Sequence, residues 1–570
     1  MKGVSVSYGD IALGAKESFL ADITDVTDFS DKTIFNKNGL SFANYVNPCE
    51  KYSVILDGSG ISLPKEKNDV NLGIWSEQIS GEDGYFENPI VLYLNSKEYY
   101  TSSGITLNFG DIFPSLVNVK WLRDTQIISD KTFEPNSSTY FFNNAVSHYN
   151  GLIFEFVKMS LPFNRLKMHS IEYGIGVVFY GEELTSANVI QAVNPISSQI
   201  EINTFDFTLK SKRNIEFSFQ TQQPVSVYNN GILKAVCFVK SSTRKDKNIW
   251  SVSSEDYIGI MDGITYYGGV YDNVEAYDLL VDIFNIAKVP YSISDEFIGK
   301  KVSGHIPITT CREALMQVSF AIGAVVDTSN SDVVKVFSLS DEISQNISNN
   351  RILQGISRTD QKPVTSVELS VHEYIPTSEE ISLYETSEIQ NNIVIRFSQP
   401  VYGLTITNGE ILNSGSNFAI INSSGGDCVL KGFLYNHVTS IRSKANPIVS
   451  LSDKENIVSV KNATLISSSN VDNILNLCYN YIVNKKEISL TIIDGKHIVE
   501  GTTIKYGTSK KYGTFKYAQD EPDMAVYDLE TNVGDRIYIN PPFVGEMVAI
   551  IERQNYSFVG GSVAKKTILR

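Results

Sequence analysis

The segment at residues 73–89 combines aromatic rings with carboxylates in a pattern typical of a binding loop. It reads GIWSEQISGEDGYFENP, in which an acidic turn at residues 81–84 is flanked by Trp75, Tyr85 and Phe86. An exposed ring beside polar acceptors can stack on a sugar, and loop carboxylates suit calcium. The candidate glycan or calcium loop therefore consists of Trp75, Glu82, Asp83 and Tyr85. In the alternative interpretation, Trp75 and Phe86 are core residues around an ordinary turn.

The chain carries none of the short motifs that mark common catalytic or nucleotide-binding sites. It lacks the nucleophile elbow G-x-S-x-G, the phosphate loop G-x-x-x-x-G-K-[ST] and the zinc motif H-E-x-x-H. The glycines of GIGVVFYG, at positions 174, 176 and 181, have the wrong last spacing for dinucleotide binding and lie among strand-forming residues. We therefore predict no catalytic residues and no enzymatic activity.

Histidine and cysteine, which often bind metals, are scattered along the chain without ligand spacing. Only His305 has a cysteine, Cys311, within about ten residues, and no C-x-x-C pair occurs. Folding could still bring such residues together, but ordinary surface and core positions are the simpler interpretation. The cysteines are odd in number and widely separated, which indicates reduced, buried thiols in a protein made in a cytoplasm. We predict no metal and no cofactor, apart from calcium at the 73–89 loop. The histidines are residues 148, 169, 305, 372, 437 and 497, and the cysteines are residues 49, 237, 311, 428 and 478.

Most of the chain shows the alternating apolar and polar residues of half-buried antiparallel strands. In GITLNF, the side chains of Ile105, Leu107 and Phe109 share one face, and in VNVKW the corresponding set is Val117, Val119 and Trp121. The Asn229-Asn230-Gly231 sequence between two such segments is suited to a tight hairpin turn. The chain is predicted to be mainly β.

Three segments have a helical period instead. Residues 273–287 place Ala276, Leu280, Ile283 and Ala287 on one stripe, with Pro290 soon after. Residues 310–322 begin with the capping pair Thr310 and Glu313 and precede Gly323. The third helix is predicted at residues 471–483, where apolar residues recur at the same spacing.

The composition is that of a folded, acidic, multidomain protein. The chain has 570 residues, well beyond the roughly 250–300 at which one core stops growing. The formal charge of −16, without any cluster of basic residues, disfavours specific nucleic-acid binding. The first 30 residues lack the apolar stretch of a signal peptide, and no apolar run reaches the length of about 18 residues that a membrane span needs.

Four segments follow one another in residues 200–340: EINTFDFTL, YNNGILKAVCFVKSS, YYGGVYDNVEAYDLLVDIFNIAKVPY and VSGHIPITTCREALMQVSFAIGAVVD. Their order resembles that of hub-type tail proteins of phages, prophages and phage-tail-like bacteriocins of Firmicutes. The fourth segment contains the family pattern G-x-[IL]-P-x-x-[TS]-x-R-[ED]-A-L, here Gly304, Ile306, Pro307, Thr310, Arg312, Glu313, Ala314 and Leu315. Near the C-terminus, the Gly534-Asp535 turn and Gly545 resemble the closing β region of such hubs, although Pro541-Pro542 between them departs from the pattern. Residues 60–178 resemble the discoidin-like, galactose-binding-like jelly rolls found in some of these proteins.

The resemblance implies a multidomain, mainly β fold made of tail-hub β-barrels, a small α/β module and a jelly-roll sandwich. The implied protein is a structural subunit of the virion tail or of a tail-like particle, assembled in the bacterial cytoplasm. It would form a ring, usually a homotrimer, that joins the tail tube or distal tail protein to the tip, spike or other baseplate proteins and lines the DNA channel. The alternative is a receptor-binding or carbohydrate-binding tail protein that recognises host cell-wall glycan. A tail-associated lysin is disfavoured, because the enzymatic domains of the family normally follow the hub.

Five segments are predicted as domains. They are an N-terminal β segment (1–58), the jelly roll (59–178), the first barrel strands with the α/β module (179–350), a β-rich region (351–465) and a helix with a C-terminal β-barrel region (466–570).

Overall fold

The structure is a computed structural model, and it separates into two compact units. The first unit contains residues 1–185 and 207–254, and the second contains residues 186–206 and 255–570. The division into five domains stays a prediction. The described residues are 4–12, 15–27, 30, 73–109, 112–210, 219–229, 232–347, 349, 352, 356–359, 361–449, 455–460, 463–483, 486–492, 495–498, 526–529, 531–541, 544–559 and 562–569.

Strands dominate the described residues. Up to residue 255 the elements are β1 (Val4–Ile11), α1 (Ala15–Ser18), β2 (Leu20–Ile23), β3 (Ile74–Trp75), β4 (Tyr85–Asn108), β5 (Pro114–Arg123), β6 (Gln126–Phe133), β7 (Thr139–Met159), β8 (Lys167–Met168), β9 (Ser170–Glu172), β10 (Gly174–Tyr180), β11 (Leu184–Ala192), β12 (Thr204–Lys210), β13 (Pro224–Asn229), β14 (Ile232–Asp246) and β15 (Ile249–Glu255).

The middle of the chain has helices among short strands. Its elements are α2 (Tyr257–Met261), β16 (Thr265–Tyr266), β17 (Gly269–Glu275), α3 (Ala276–Ala287), β18 (Tyr291–Ile293), a 3-10 helix (Asp295–Phe297), β19 (Lys301–Ile306), β20 (Thr309–Thr310), α4 (Cys311–Ile322), β21 (Val325–Asp327), β22 (Val334–Phe337), β23 (Gln345–Ile347) and β24 (Ser357–Thr359).

The last part returns to strands, with one further helix. Its elements are β25 (Ser366–Thr386), β26 (Ile389–Arg396), β27 (Val401–Thr407), β28 (Gly409–Ser414), β29 (Phe418–Ser424), β30 (Cys428–Ala445), β31 (Ile457–Val460), α5 (Val471–Val483), β32 (Glu487–Ile492), β33 (Gly495–Ile498), β34 (Val526–Leu529), β35 (Arg536–Ile539), β36 (Met547–Val559) and β37 (Ser562–Leu569).

In the first unit, one sheet has the strand order β2-β4-β7-β5-β6, and β9 also pairs with β4. The predicted inward faces are confirmed, because Ile105, Leu107, Phe109, Val119 and Trp121 are all fully buried. They pack in one apolar cluster with side chains from β7, β9 and α1.

Another run of paired strands in this unit has the order β10-β1-β13-β14. Its last two strands form the predicted hairpin, in which Asn229 is paired with Ile232 across the turn.

In the second unit, the α/β module contains α3 and α4, which confirm the first two predicted helices. Helix α4 begins where the hydroxyl of Thr310 accepts a hydrogen bond from the backbone N–H of Glu313 at 3.2 Å. It ends at Gly323, whose φ of +69° is left-handed and therefore favours glycine. Helix α3 starts at Ala276, three residues later than the predicted segment 273–287. It ends before Lys288, whose backbone conformation is left-handed, and Pro290 follows. The third helix, α5, has the predicted bounds of residues 471–483.

The remaining strands of the second unit form several sheets. Strands β11, β36, β37, β32 and β24 pair in that order, and β35 pairs with β36. A separate sheet has the order β27-β30-β25-β31, and a three-stranded sheet has the order β26-β29-β28. The mainly β, multidomain fold is confirmed. The predicted β-barrels are not formed by the described strands, whose sheets are open. A barrel would require the first and last strands of a sheet to pair, and among the described strands they do not. No helix among the described residues is long and apolar enough to cross a membrane.

Candidate functional site

The predicted binding loop is a tight turn at the start of β4. The N–H of Gly81 donates to the carbonyl of Tyr85 at 2.8 Å, and the N–H of Gly84 donates to the carbonyl of Gly81 at 3.0 Å. Gly84 has a φ of +82°, and a Cβ there would lie 2.9 Å from the carbonyl oxygen of Met159. A side chain at position 84 would therefore clash with backbone, which explains the glycine.

The structure places the four candidate residues in different environments. Glu82 and Asp83 are exposed, and an Asp83 carboxylate oxygen accepts a hydrogen bond from the N–H of Tyr85 at 3.0 Å. Tyr85 is 42% exposed, and the Lys158 ammonium lies 4.6 Å from the centre of its ring. The turn thus brings one accessible ring together with two carboxylates.

Trp75 does not present its ring to solvent. It is only 4% exposed, it pairs with Lys167 in the two-stranded β3-β8 ribbon, and the Lys167 ammonium lies 4.9 Å from its ring centre. A buried ring cannot stack on a sugar, so the aromatic contribution to the predicted site is left to Tyr85. The glycan or calcium site itself stays a prediction.

If this loop binds glycan, Tyr85→Ala should weaken the binding of purified host cell-wall glycan about tenfold, because an aromatic stacking contact is worth about 0.5–1.5 kcal/mol. The measurement is isothermal titration calorimetry with solubilised wall glycan. Tyr93→Ala is the matched control, since Tyr93 is similarly exposed (38%) but lies within β4, outside the loop. Equal affinities for the parent and the Tyr85 variant would move any glycan site elsewhere.

The family pattern in residues 304–315 is explained by packing and capping. A Cβ at Gly304 would lie 2.3 Å from the carbonyl oxygen of Thr464, so only glycine fits. The Arg312 guanidinium donates to the carbonyl of Ile200 at 2.6 and 3.1 Å and lies 3.5 Å from an Asp262 carboxylate oxygen. Ala314 and Leu315 are fully buried. Each of these residues therefore has a structural task within the second unit.

A buried carboxylate, that of Asp256, lies at the start of α2, and the sequence did not reveal its burial. Asp256 accepts hydrogen bonds from the N–H groups of Ile258, Gly259 and Asn203 and from the hydroxyl of Thr328, which is 2.5 Å away. Burial raises the pKa of Asp256 to about 6, and these hydrogen bonds oppose that rise. A carboxylate whose oxygens are occupied by internal donors caps the helix and has no open position for a substrate.

The described cysteines do not provide a nucleophile. Cys237, Cys311, Cys428 and Cys478 are buried thiols outside any disulfide, as predicted, and Cys49 lies outside the described residues. Burial raises the pKa of the Cys311 thiol to about 11 and that of the Cys478 thiol to about 12. Thiols with such values are protonated near neutral pH and unreactive. Within the described ranges, no group of three or more His, Cys, Asp or Glu side chains is arranged to hold a metal ion.

Folding does bring three of the six histidines together. His305, His372 and His437 lie in one row with Tyr374, although 67 and 65 residues separate them along the chain. No short-range spacing could have revealed this grouping, because the three residues stand on three different strands.

Comparisons with solved structures find tail proteins. A tail protein from Neisseria meningitidis MC58 has 9% identity and a TM-score of 0.40, over 68% of this chain and 92% of that protein. The 43 kDa tail protein of prophage MuSo2 from Shewanella oneidensis has 8% identity and a TM-score of 0.41, over 69% and 95%. The prophage tail protein gp18 from Listeria monocytogenes EGD-e has 10% identity and a TM-score of 0.38, over 70% and 91%.

No family model matches the chain. No curated protein matches it. Similarities at these TM-scores do not by themselves assign a function.

Proposed function

We propose that this protein is a structural subunit of a phage tail or tail-like particle, a hub at the baseplate or tail tip that joins the tail tube to the tip. The observation that carries the proposal is the 304–315 segment. Its residues follow the hub-type pattern and serve as a close-approach glycine, a helix cap, a carbonyl-binding arginine and core side chains. A segment whose residues cap a helix, bind a backbone carbonyl and fill a core fits a building block, since a catalytic segment would need accessible polar atoms.

The hub proposal includes a homo-oligomeric ring, a trimer by analogy with hubs, around the tail axis. Open sheets leave strand edges that closed symmetric assembly can pair or cover. The chain's charge of −16 would give three copies −48 in total, and a negative channel wall allows DNA to pass without adhering. The segments proposed to form the ring are residues 180–240 and the last ~100 residues. They contain the exposed apolar side chains Ile232 (46%) and Val548 (45%).

A reconstruction of the assembled particle tests the hub position. Density for this chain around the axis, in contact with its own copies, is the expected result. Density away from the axis without self-contacts would overturn the hub assignment and favour the receptor-binding alternative.

Native mass spectrometry tests the ring surface directly. The parent chain should form a discrete oligomer, and Ile232→Asp combined with Val548→Asp should shift it to monomer, because two buried charges at an interface lack partners. Ile127→Asp is the control, since Ile127 is somewhat more exposed (54%) but lies on β6, outside the proposed ring segments. A ring that survives the double substitution would place the interface on other surfaces.

We expect the isolated protein to release no soluble fragments from purified host cell walls, because the sequence lacks hydrolase motifs and the two buried thiols described above are unreactive. The assay is reducing-sugar and free-amine release, with a commercial muramidase as the positive control. Fragment release above that of heat-denatured protein would contradict the structural assignment.

A further inference from the structure

Three histidines and a tyrosine form a continuous row of rings in the second unit. His437 on β30 is the cross-strand neighbour of Tyr374 on β25, and their rings stack with centroids 4.4 Å apart and an interplanar angle of 4°. The Nδ1 atom of His372 lies 3.0 Å from the Nε2 atom of His437. On the other side of Tyr374, the ring of His305 on β19 is 5.3 Å away. The imidazole row is defined as His305, Tyr374, His437 and His372.

The hydrogen bonds at one end of the row fix the tautomer of His305. The side-chain amide of Asn417 donates to the carbonyls of Tyr267 and Ile306, both at 2.8 Å, so its oxygen is free to accept. That oxygen lies 2.7 Å from the Nε2 atom of His305, which must therefore carry the proton. A second proton on His305 would have to enter at Nδ1.

The hydrogen bond at the other end limits the number of protons that the row can hold. One of the two facing nitrogens of His372 and His437 must donate and the other must accept. The pair can keep this bond with one extra proton, but when both rings are imidazolium both nitrogens are donors and the bond is lost. His372 is only 8% exposed, so a charge on it is poorly solvated.

The main chain around the row is held by one short segment. The N–H of His372 donates to the carbonyl of Ile466 at 2.8 Å, and the N–H of His305 donates to the carbonyl of Thr464 at 3.3 Å. The Thr464 hydroxyl also donates to the carbonyl of His305. Residues 464–466 thus tie β19 to β25 at the place where the rings meet.

The charged groups that surround the row do not neutralise it. Burial lowers the pKa of both His305 and His372, and His437 lowers both further, while the hydrogen bond to Asn417 partly opposes the shift of His305. Among the described residues, no carboxylate contributes to either shift. The charge of Asp272 raises the pKa of Tyr435, which shares the face of β30 with His437. It does not contribute to the pKa shifts of His305 and His372. Glu373 points to the opposite face of β25, and the groups contributed by residues 417 and 464–466 are neutral. Successive protonation therefore accumulates positive charge without a carboxylate partner.

We propose that the imidazole row is an acid-sensitive latch that joins the β25-β30 pair to β19 near neutral pH and opens when its histidines become charged. This device is independent of the tail role. The direction of the pH dependence follows from linkage. His305 and His372 bind protons less readily in the folded than in the unfolded chain. The latch therefore loses stability as the pH falls below the ordinary histidine pKa of about 6.5.

Hydrogen–deuterium exchange of the full chain tests the latch. Between about pH 7.5 and pH 5, after correction for intrinsic rates, peptides that cover residues 301–308, 366–376 and 432–441 should exchange about tenfold faster, because opening of the latch exposes their backbone amides. The double variant His372→Gln with His437→Gln should show a much smaller acid response, because only His305 of the row remains to be charged. His148→Gln is the matched control, because His148 also stacks on a tyrosine, Tyr99, but lies in the first unit; this variant should respond like the parent.

Either of two results would overturn the latch. The first is equal protection of the three peptides at both pH values in the parent. The second is an acid response of undiminished size in the double glutamine variant, which would assign it to groups outside the imidazole row. If the double variant does not fold, the parent labelled with 13C at histidine Cε1 replaces it. His305 and His372 should then titrate below the ordinary range, together with the faster exchange, and ordinary titration of both would exclude the proposal.

Discussion

Replacing Lys16 with methionine should destabilise the first unit by about 3–5 kcal/mol, because the substitution leaves a buried carboxylate without its cation. The Lys16 ammonium lies 2.7 Å from a carboxylate oxygen of Glu172, and the two side chains are only 2% and 6% exposed. The free energy of unfolding of this unit, measured by urea denaturation, checks the value.

The effect of this substitution should depend on pH in a defined direction. Burial raises the pKa of Glu172, while the Lys16 ammonium opposes the rise. Without Lys16 that carboxyl has a folded pKa above its unfolded value, so it favours the folded state at low pH and loses that contribution as the pH rises through the folded pKa. The destabilisation should therefore be larger at about pH 7.5 than at about pH 4.5.

Two matched variants separate the missing charge from other effects. Lys16→Met combined with Glu172→Leu should recover most of the stability, because no unpaired charge remains. Lys120→Met breaks the pair between Lys120 and Glu155 in the same unit, whose side chains are 23% and 26% exposed, and should cost about 1 kcal/mol or less. Equal costs for Lys16→Met and Lys120→Met would show that the burial of the Lys16 pair contributes nothing.

The helices and the inward strand faces could be predicted because their signals are local. The 3.6-residue period and the Thr310 cap specify α4, and alternation specifies the buried set Ile105, Leu107 and Phe109. The stretch at residues 375–390 is rich in Ser, Thr and Glu, yet β25 continues into it as far as Thr386. Most of this stretch is partly or fully exposed, so the alternation that marks a half-buried strand is absent there.

The candidate site shows where local signals end. Spacing places Trp75 and Tyr85 on either side of a turn, but it cannot decide which ring faces the core, and the structure buries Trp75. Lys16 reads as a surface residue until Glu172, 156 residues further along, is brought beside it. The imidazole row depends in the same way on the pairing of β25 with β30. Contacts between distant parts of the chain decide the burial of Trp75, the burial of Lys16 and the grouping of the histidines. A short stretch of sequence does not contain both residues of such a contact.

Leu315→Ala should lower the stability of the second unit by about 2–5 kcal/mol, because it removes a fully buried side chain and leaves a cavity. Leu315 lies on the inner face of α4, one helical turn from Val318, which is also fully buried. The two side chains occupy the helix face that the apolar period predicts to be buried. Water that entered the cavity left by the substitution would carry its own free-energy penalty, so the cavity cannot be filled without cost.

The measurement is urea unfolding, followed by hydrogen exchange of the peptide that covers α4, so that the transition is assigned to this unit and not to the whole chain. Leu477→Ala provides the comparison, since Leu477 is also helical but 47% exposed, and it should change the free energy of unfolding by about 0.5 kcal/mol or less. The two truncations remove the same atoms, and therefore the difference between them isolates burial from helix propensity. If Leu315→Ala unfolds at the same urea concentration as the parent, then α4 is solvated and its segment cannot be the structural element on which the proposed function rests.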